Sequence, residues 1–245
     1  MKVLVVGGAS GLGRALVEIA IQRGDEVSVL DLDARALEAP ADKAVIAVCD
    51  ISNSESVGAA LASLASRSPF DLVVLTAGIS AVGRFEELEL SEMWRVVAVN
   101  LTGTMIVTKA LIRGEMIARG GRLVLTSSLS HFVGYPGASA YAASKDGVTA
   151  FGKSIAAEFM RRHSITVQIA VPGPMDTPHA ERHAPPGSKR DRRAKPELIA
   201  AAILNRRRAG IFVPGLAARL MAGIGRFFPG LSGRLMLSAI YNRLP

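Results

Sequence analysis

The chain contains one cysteine, Cys49, so no internal disulfide can form and a reducing compartment is expected. Cys49 ends the apolar run Ala44–Val48 and reads as a small buried residue rather than a nucleophile. Long apolar runs are missing too. No stretch approaches the ~18 apolar residues of a membrane-spanning helix. Met1-Lys2 lead straight into Val3–Val6 and a glycine turn, so no signal peptide is expected and a cytoplasmic location follows. There is no internal repeat and no low-complexity block. Acid is absent from one end: after Glu197 there is no Asp or Glu at all. The last 48 residues carry seven arginines, from Arg206 to Arg243, so of the formal +8 only +1 belongs to residues 1–197.

What is present suits a large apolar core. The 245 residues are 49% hydrophobic, with 24 Gly, 12 Pro and a mean hydropathy of +0.32. Strand and helix signals alternate. Strands are expected at Lys2–Val6, Glu26–Leu30, Ala44–Cys49, Asp71–Thr76, Gly121–Ser127 and Ile165–Val171, with a short seventh at Gly210–Val213. Helices are expected at Leu12–Gln22, 54–66, 91–99, 103–118, Ser139–His163 and Pro196–Asn205, with a charged, Pro-rich mobile loop over 175–195. Apolar strands joined through helices predict an α/β fold: a Rossmann-type, doubly wound parallel sheet of about seven strands covered by helices on both faces. Residues 1–214 form the main domain in this reading, and 215–245 a basic, apolar helical extension of it.

The chemistry-bearing residues fall at strand carboxyl ends, where open α/β sheets bind ligands. Gly7-Gly8-Ala9-Ser10-Gly11-Leu12-Gly13 follows the first strand and opens the first helix. Its glycines permit close approach of a pyrophosphate, and the helix start offers unpaired N–H groups. Asp31 ends the second strand, 18 residues past Gly13. Its carboxylate can accept both ribose hydroxyls and repel a 2′-phosphate, so NAD(H) is favoured over NADP(H). A nearby Arg35 would soften that repulsion; capping of the next turn is the plainer role for Asp31. Asp50-Ile51 can hold an adenine edge and also start a helix. Asn100 is an amide inside an apolar helical stretch, either a structural cross-link or a relay member.

Tyr141 and Lys145 lie four apart, on one helix face, with Ser128 thirteen residues upstream. A fixed ammonium is expected to lower the phenol's pKa and make it a usable proton donor and acceptor.

Taken together, the Gly7–Gly13 loop, Asp50, Ala77-Gly78, Asn100, Ser128, Tyr141-x-x-x-Lys145 and Pro172-Gly173 make residues 1 to about 215 resemble the short-chain dehydrogenase/reductase family. That resemblance implies a hydride transfer between NAD(P)(H) and a secondary alcohol or its ketone. Tyr141 would be the general acid/base, Lys145 would tune it and bond the nicotinamide ribose, and Ser128 would hold the substrate oxygen. Asn100 would hold a water linking Lys145 to solvent. Pro172, Gly173 and Thr177 would contact the nicotinamide carboxamide. The resemblance also implies a homotetramer or homodimer built through the helices near 103–118 and 139–163. Two positions depart from the family pattern: Val6 stands where a Thr is usual, and Thr76 where an Asn is usual.

Other features weigh less. His179 and His183 are four apart, but only Glu181 could join them, so no metal site is expected. Residues 189–195 form a charge run that reads as a solvated loop or a contact for an anionic substrate group. Met93, Trp94 and Val97 read as packing. In the tail, Leu216, Leu220, Ile224 and Phe227 share one helical face beside Arg219 and Arg226, which fits an interfacial helix on an anionic membrane or a core or dimer contact. Its glycines weaken one continuous helix. A greasy tail points to a hydrophobic, lipid-like substrate. The alternatives are a catalytically silent nucleotide sensor on the same fold, and nucleic-acid binding, against which the tail's aliphatic content argues.

Overall fold

A computed structural model describes residues 1–33, 44–183, 190 and 193–243. Arg35, and Lys189, Asp191 and Arg192 of the 189–195 charge run, lie outside the described residues. The strands are β1 (Lys2–Val6), β2 (Glu26–Asp31), β3 (Ala44–Val48), β4 (Phe70–Leu75), β5 (Ile117–Thr126), β6 (Thr166–Ala170) and β7 (Gly210–Phe212). They pair in the order β3-β2-β1-β4-β5-β6-β7, every neighbouring pair parallel. The order reverses between β1 and β4, which share the register Val6↔Leu75. The loops leaving these two strands therefore diverge and open a crevice at their carboxyl ends.

The helices are α1 (Gly11–Gln22), α2 (Ser54–Ser63), α3 (Leu90–Val97), α4 (Thr104–Arg113), α5 (Ser130–Val133), α6 (Ser139–His163), α7 (Pro178–Arg182), α8 (Pro196–Asn205), α9 (Leu216–Phe227) and α10 (Pro229–Ala239). Alternation along each strand feeds two cores. Leu4, Val6, Leu75, Leu123 and Leu125 face Val57, Val107, Leu111, Val148 and Phe159 of α2, α4 and α6. Val3, Val5, Leu72, Val74 and Val124 face Leu16, Val17, Ala20, Ile199 and Ile203 of α1 and α8. Each buried aliphatic side chain contributes about 1.5–3 kcal/mol, and burial on both faces explains why the strands are near-continuous apolar runs.

One strand residue breaks that rule. Arg122 in β5 is 4% exposed. Its guanidinium donates to the carbonyls of Ile203, Leu204 and Arg206, at the carboxyl end of α8. Such an end carries orphan acceptors and partial negative charge. Burial, then Arg207 and Arg23, pushes the guanidinium pKa down to about 10.

Several elements differ from the sequence expectation. The helix expected over 103–118 stops at Arg113, because Gly114 ends it, Glu115 takes a positive φ of 51° and Ile117 already pairs with Phe70. β5 consequently starts four residues early. α3 and α4 are joined by a π turn over Ala98–Gly103 into one run, Leu90–Arg113. By length and composition that run could cross a bilayer, contrary to the sequence reading, yet a core helix passes the same test and Asn100 pins this one into the fold. Trp94 does not pack as expected: it is 70% exposed, while Met93 joins the cluster around Ala81, Val96 and Ala140. The 175–195 loop holds the short helix α7, capped by Thr177. The tail is two helices, broken at Phe228-Pro229.

Candidate active site

The glycine turn is shaped by contacts that leave no room for side chains. Gly7 has φ 84°, and a Cβ there would sit 2.5 Å from the Ala77 nitrogen. A Cβ on Gly13 would sit 1.9 Å from the Gly7 carbonyl oxygen. Thr76 locks the turn from the other side: its hydroxyl reaches the carbonyls of Val6 at 2.9 Å and Gly7 at 3.0 Å. Thr76 thus braces the turn where the family usually has Asn, and Val6 is simply buried in β1. Ser10 precedes α1 but makes no capping bond with its side chain, and Leu12 is buried behind it. The α1 amino terminus therefore keeps its N–H groups and a free hydroxyl for an anion.

Asp31 lies beside this turn. One carboxylate oxygen accepts the Ala9 N–H at 2.8 Å, the other the Asp33 N–H at 3.1 Å. It caps its own turn and ties down the glycine loop, with lone pairs to spare for ribose hydroxyls. Asp50 accepts the Ser52 N–H and hydroxyl at 2.9 and 2.6 Å, and these bonds hold its carboxyl below the usual range. It forms the helix-start turn before α2, and Ile51 packs beneath it against Gly103. On the opposite wall, the Pro172 carbonyl accepts the Leu129 N–H, and Gly173 lies under Ala218 of α9. The Thr177 methyl comes within contact reach of Gly11. Pyrophosphate cradle, ribose acceptor and far wall thus occupy one crevice, and these residues fit a dinucleotide.

Asn100, Ser128, Tyr141 and Lys145 converge beyond the turn. The Asn100 amide accepts the Ile79 N–H at 2.8 Å and donates to the Ile79 carbonyl at 2.9 Å and the Ser144 hydroxyl at 3.0 Å. That is a structural cross-link from the π turn to β4's exit and to α6. Gly78 lies between Asn100 and Lys145: a Cβ on it would be 3.1 Å from Asn100 Oδ1 and 3.2 Å from Lys145 Nζ. Lys145 is 5% exposed, and its Nζ donates to the Thr126 carbonyl at 3.0 Å. Burial pushes its pKa down to about 8. The Ser128 hydroxyl accepts the Ser130 N–H at 3.2 Å and lies close enough to the Tyr141 phenol to pull its pKa down.

The expected lowering of the phenol does not occur in the chain by itself. Burial pushes Tyr141 up to about 12, with Ser128 opposing and Tyr135 adding to the rise. Lys145 Nζ stands 5.9 Å from the phenol ring centre. At that separation its pull does not overcome desolvation.

Two residues at this site were not singled out as substrate-side groups. Tyr135 meets Tyr141 edge-to-face at 6.1 Å between ring centres. Burial raises its own pKa. The Gly134-Tyr135-Pro136-Gly137 turn was the available signal. His179 lies on α7, where burial, then His183, Lys145 and Arg182, pushes its pKa down to about 4. It is therefore neutral near pH 7. Among the described residues no group of three or more His, Cys, Asp or Glu could hold a metal.

Residues 1–186 match the family model "short chain dehydrogenase". The chain belongs to the short-chain dehydrogenase family. It is 35% identical over 188 residues to 2,5-dichloro-2,5-cyclohexadiene-1,4-diol dehydrogenase of Sphingobium indicum, covering 74% of each chain. A 3-ketoacyl-(acyl-carrier-protein) reductase from Brucella melitensis, solved with NADH, aligns with a TM-score of 0.73 at 27% identity, over 82% of this chain and 88% of that one. A short chain dehydrogenase from Burkholderia cenocepacia in complex with NADP shares the fold across 96% of this chain and 97% of its own, with a TM-score of 0.79 at 24% identity. The chain is thus an oxidoreductase of the NAD(P)(H)-linked short-chain dehydrogenase family.

Proposed function

We propose that this short-chain dehydrogenase interconverts a hydrophobic secondary alcohol and its ketone with NAD(H), with Tyr141 as the acid/base. The observation that carries the reading is the convergence of Tyr141, Ser128 and Lys145 beside the glycine turn. When bound, the nicotinamide supplies or accepts the hydride. The Ser128 hydroxyl holds the substrate oxygen and keeps the phenol aimed at it. With its pKa near 12 the phenol is fully protonated at neutral pH and can donate to the developing alkoxide during reduction. In the reverse direction it must ionise, and the buried Lys145 ammonium is the cation placed to stabilise that state. Gly78 leaves the Asn100–Lys145 gap narrow, and a water held there would link the ammonium to solvent. Tyr141 packs, with Ile79, Leu88 and Met93, against the apolar cluster Ala81, Val96 and Ala140, and His179 is neutral, which favours an apolar substrate over an anionic one.

Tyr141→Phe is expected to lower kcat by about 10²–10⁴-fold while leaving NADH affinity unchanged by fluorescence titration. Retention of more than a tenth of the wild-type rate across a panel of ketones of graded chain length would remove Tyr141 from the mechanism. The preference for NAD(H) rests on the Asp31 carboxylate beside the glycine turn. Asp31→Ala is expected to shift the NADH/NADPH efficiency ratio at least tenfold toward NADPH; a wild-type enzyme more efficient with NADPH overturns this assignment.

A further inference from the structure

Away from Tyr141, a concavity of about 510 Å³ opens between α5, α6, β7 and α9. Its floor is Phe132, Ile211, Phe212 and Val213, and its walls carry Lys153, Arg206, Arg219, Arg226 and His131. Among the described residues none of those four Lys and Arg side chains forms an ion pair. Among the described residues the acid bonded to a wall residue is Asp146, on His131 at 2.9 Å. Arg219 donates to the Val213 carbonyl at 2.9 Å, and the Arg206 guanidinium stacks over Phe212 at 4.5 Å with its Nε buried and without a partner. Four cations gathered without counter-charge repel one another, and a bound anion relieves that repulsion.

The helix beside this concavity is inside out. α9 packs inward with Met221 and three small residues, Ala218, Ala222 and Gly225; a Cβ on Gly225 would sit 2.2 Å from the Phe132 carbonyl oxygen. Three of its large side chains point to solvent: Leu216 is 73% exposed, Leu220 62% and Phe227 73%. Phe228, Leu231 and Leu235 continue the exposed apolar surface past the break. Arg219 and Arg226, seven apart, flank that stripe on the concavity's side. An apolar ridge with cations at its shoulder matches the acyl and headgroup layers of an anionic bilayer.

We infer that the concavity receives the anionic headgroup of a membrane phospholipid while the outer faces of α9 and α10 dip into the acyl region. The inference is independent of the catalytic reading, since the four cations and the exposed apolar residues are not among those placed at the Tyr141 crevice. Its test uses the full chain and sucrose-loaded vesicles of phosphatidylcholine, with and without phosphatidylglycerol. The expected result is at least tenfold tighter cosedimentation with the anionic vesicles, falling as salt rises. Lys153→Glu and Arg226→Glu should each weaken it severalfold, and Leu220→Ser with Phe227→Ser should abolish it, with ketone reduction in solution unchanged in each variant. Equal binding to neutral vesicles, or none to either, overturns the inference. So does thermal stabilisation by inorganic phosphate without vesicle binding, which makes the concavity a soluble-anion site. Tighter retention by duplex DNA than by anionic vesicles overturns it in favour of nucleic acid.

Discussion

Lys145 holds a buried ammonium that donates to the Thr126 carbonyl and forms no ion pair among the described residues. The arrangement makes stability depend on pH with a definite sign. Because burial pushes its pKa from 10.5 down to about 8, the unfolded lysine binds more protons than the folded one between those values, so its contribution rises with pH across that window. Tyr141 acts oppositely and higher: with a folded pKa near 12 against 10 unfolded, it lowers stability as pH climbs through 10–12. In urea titrations, wild type relative to Lys145→Met is expected to gain on the order of 1–3 kcal/mol between pH 7.5 and pH 10. A flat difference would mean that the lysine is hydrated in solution. This environment was not legible from spacing. Tyr141 and Lys145 four apart announce a shared helix face, but whether an ammonium tunes a phenol depends on distance and burial, and here burial dominates. Asn100 was legible as a buried amide and not as the cross-link it makes, because its partners Ile79 and Ser144 come from other elements.

Among the elements, those bounded by local signals matched closely. α6 runs over Ser139–His163 and α8 over Pro196–Asn205, as their periodicity and the starting Pro196 indicate. α4 and β5 did not, because Met116 and Ile117 are apolar in either period and only pairing with Phe70 decides for the strand. Arg122 was invisible as a structural group: a charged residue in a strand reads as exposed until α8's last carbonyls are known to lie over it. The glycine turn combines both kinds of information. Its sequence marks a nucleotide loop, and the structure adds that Gly13 is required for packing. Gly13→Ala would drive a methyl to 1.9 Å from the Gly7 oxygen. The expected cost is about 1–3 kcal/mol of stability, read as a lower thermal midpoint, together with at least a tenfold loss in NADH affinity. A variant that binds NADH normally would show that the α1 start relaxes away without consequence.

Across the whole molecule, the C-terminal pair of helices reaches the crevice wall through α9. α9 is seated by Gly225 against Phe132, and its Ala218 lies over Gly173, in the wall opposite the glycine turn. Gly225→Val should unseat the helix. Limited proteolysis is then expected to cut near residue 215 at least tenfold faster than in wild type, with the sheet intact by circular dichroism and ketone reduction slowed severalfold. Rapid cleavage with full activity would show that the crevice wall stands without the tail. The family model matches residues 1–186, and the tail lies beyond it. Its composition signals apolar helices; which side turns inward is set by the small residues that fit against α5.

That inverted seating has a practical corollary. With leucines and phenylalanines displayed on its outer side, the purified enzyme should collect detergent. Its elution volume on a sizing column should change when the surfactant crosses its micelle-forming concentration, and handling without any amphiphile should favour self-association through this ridge.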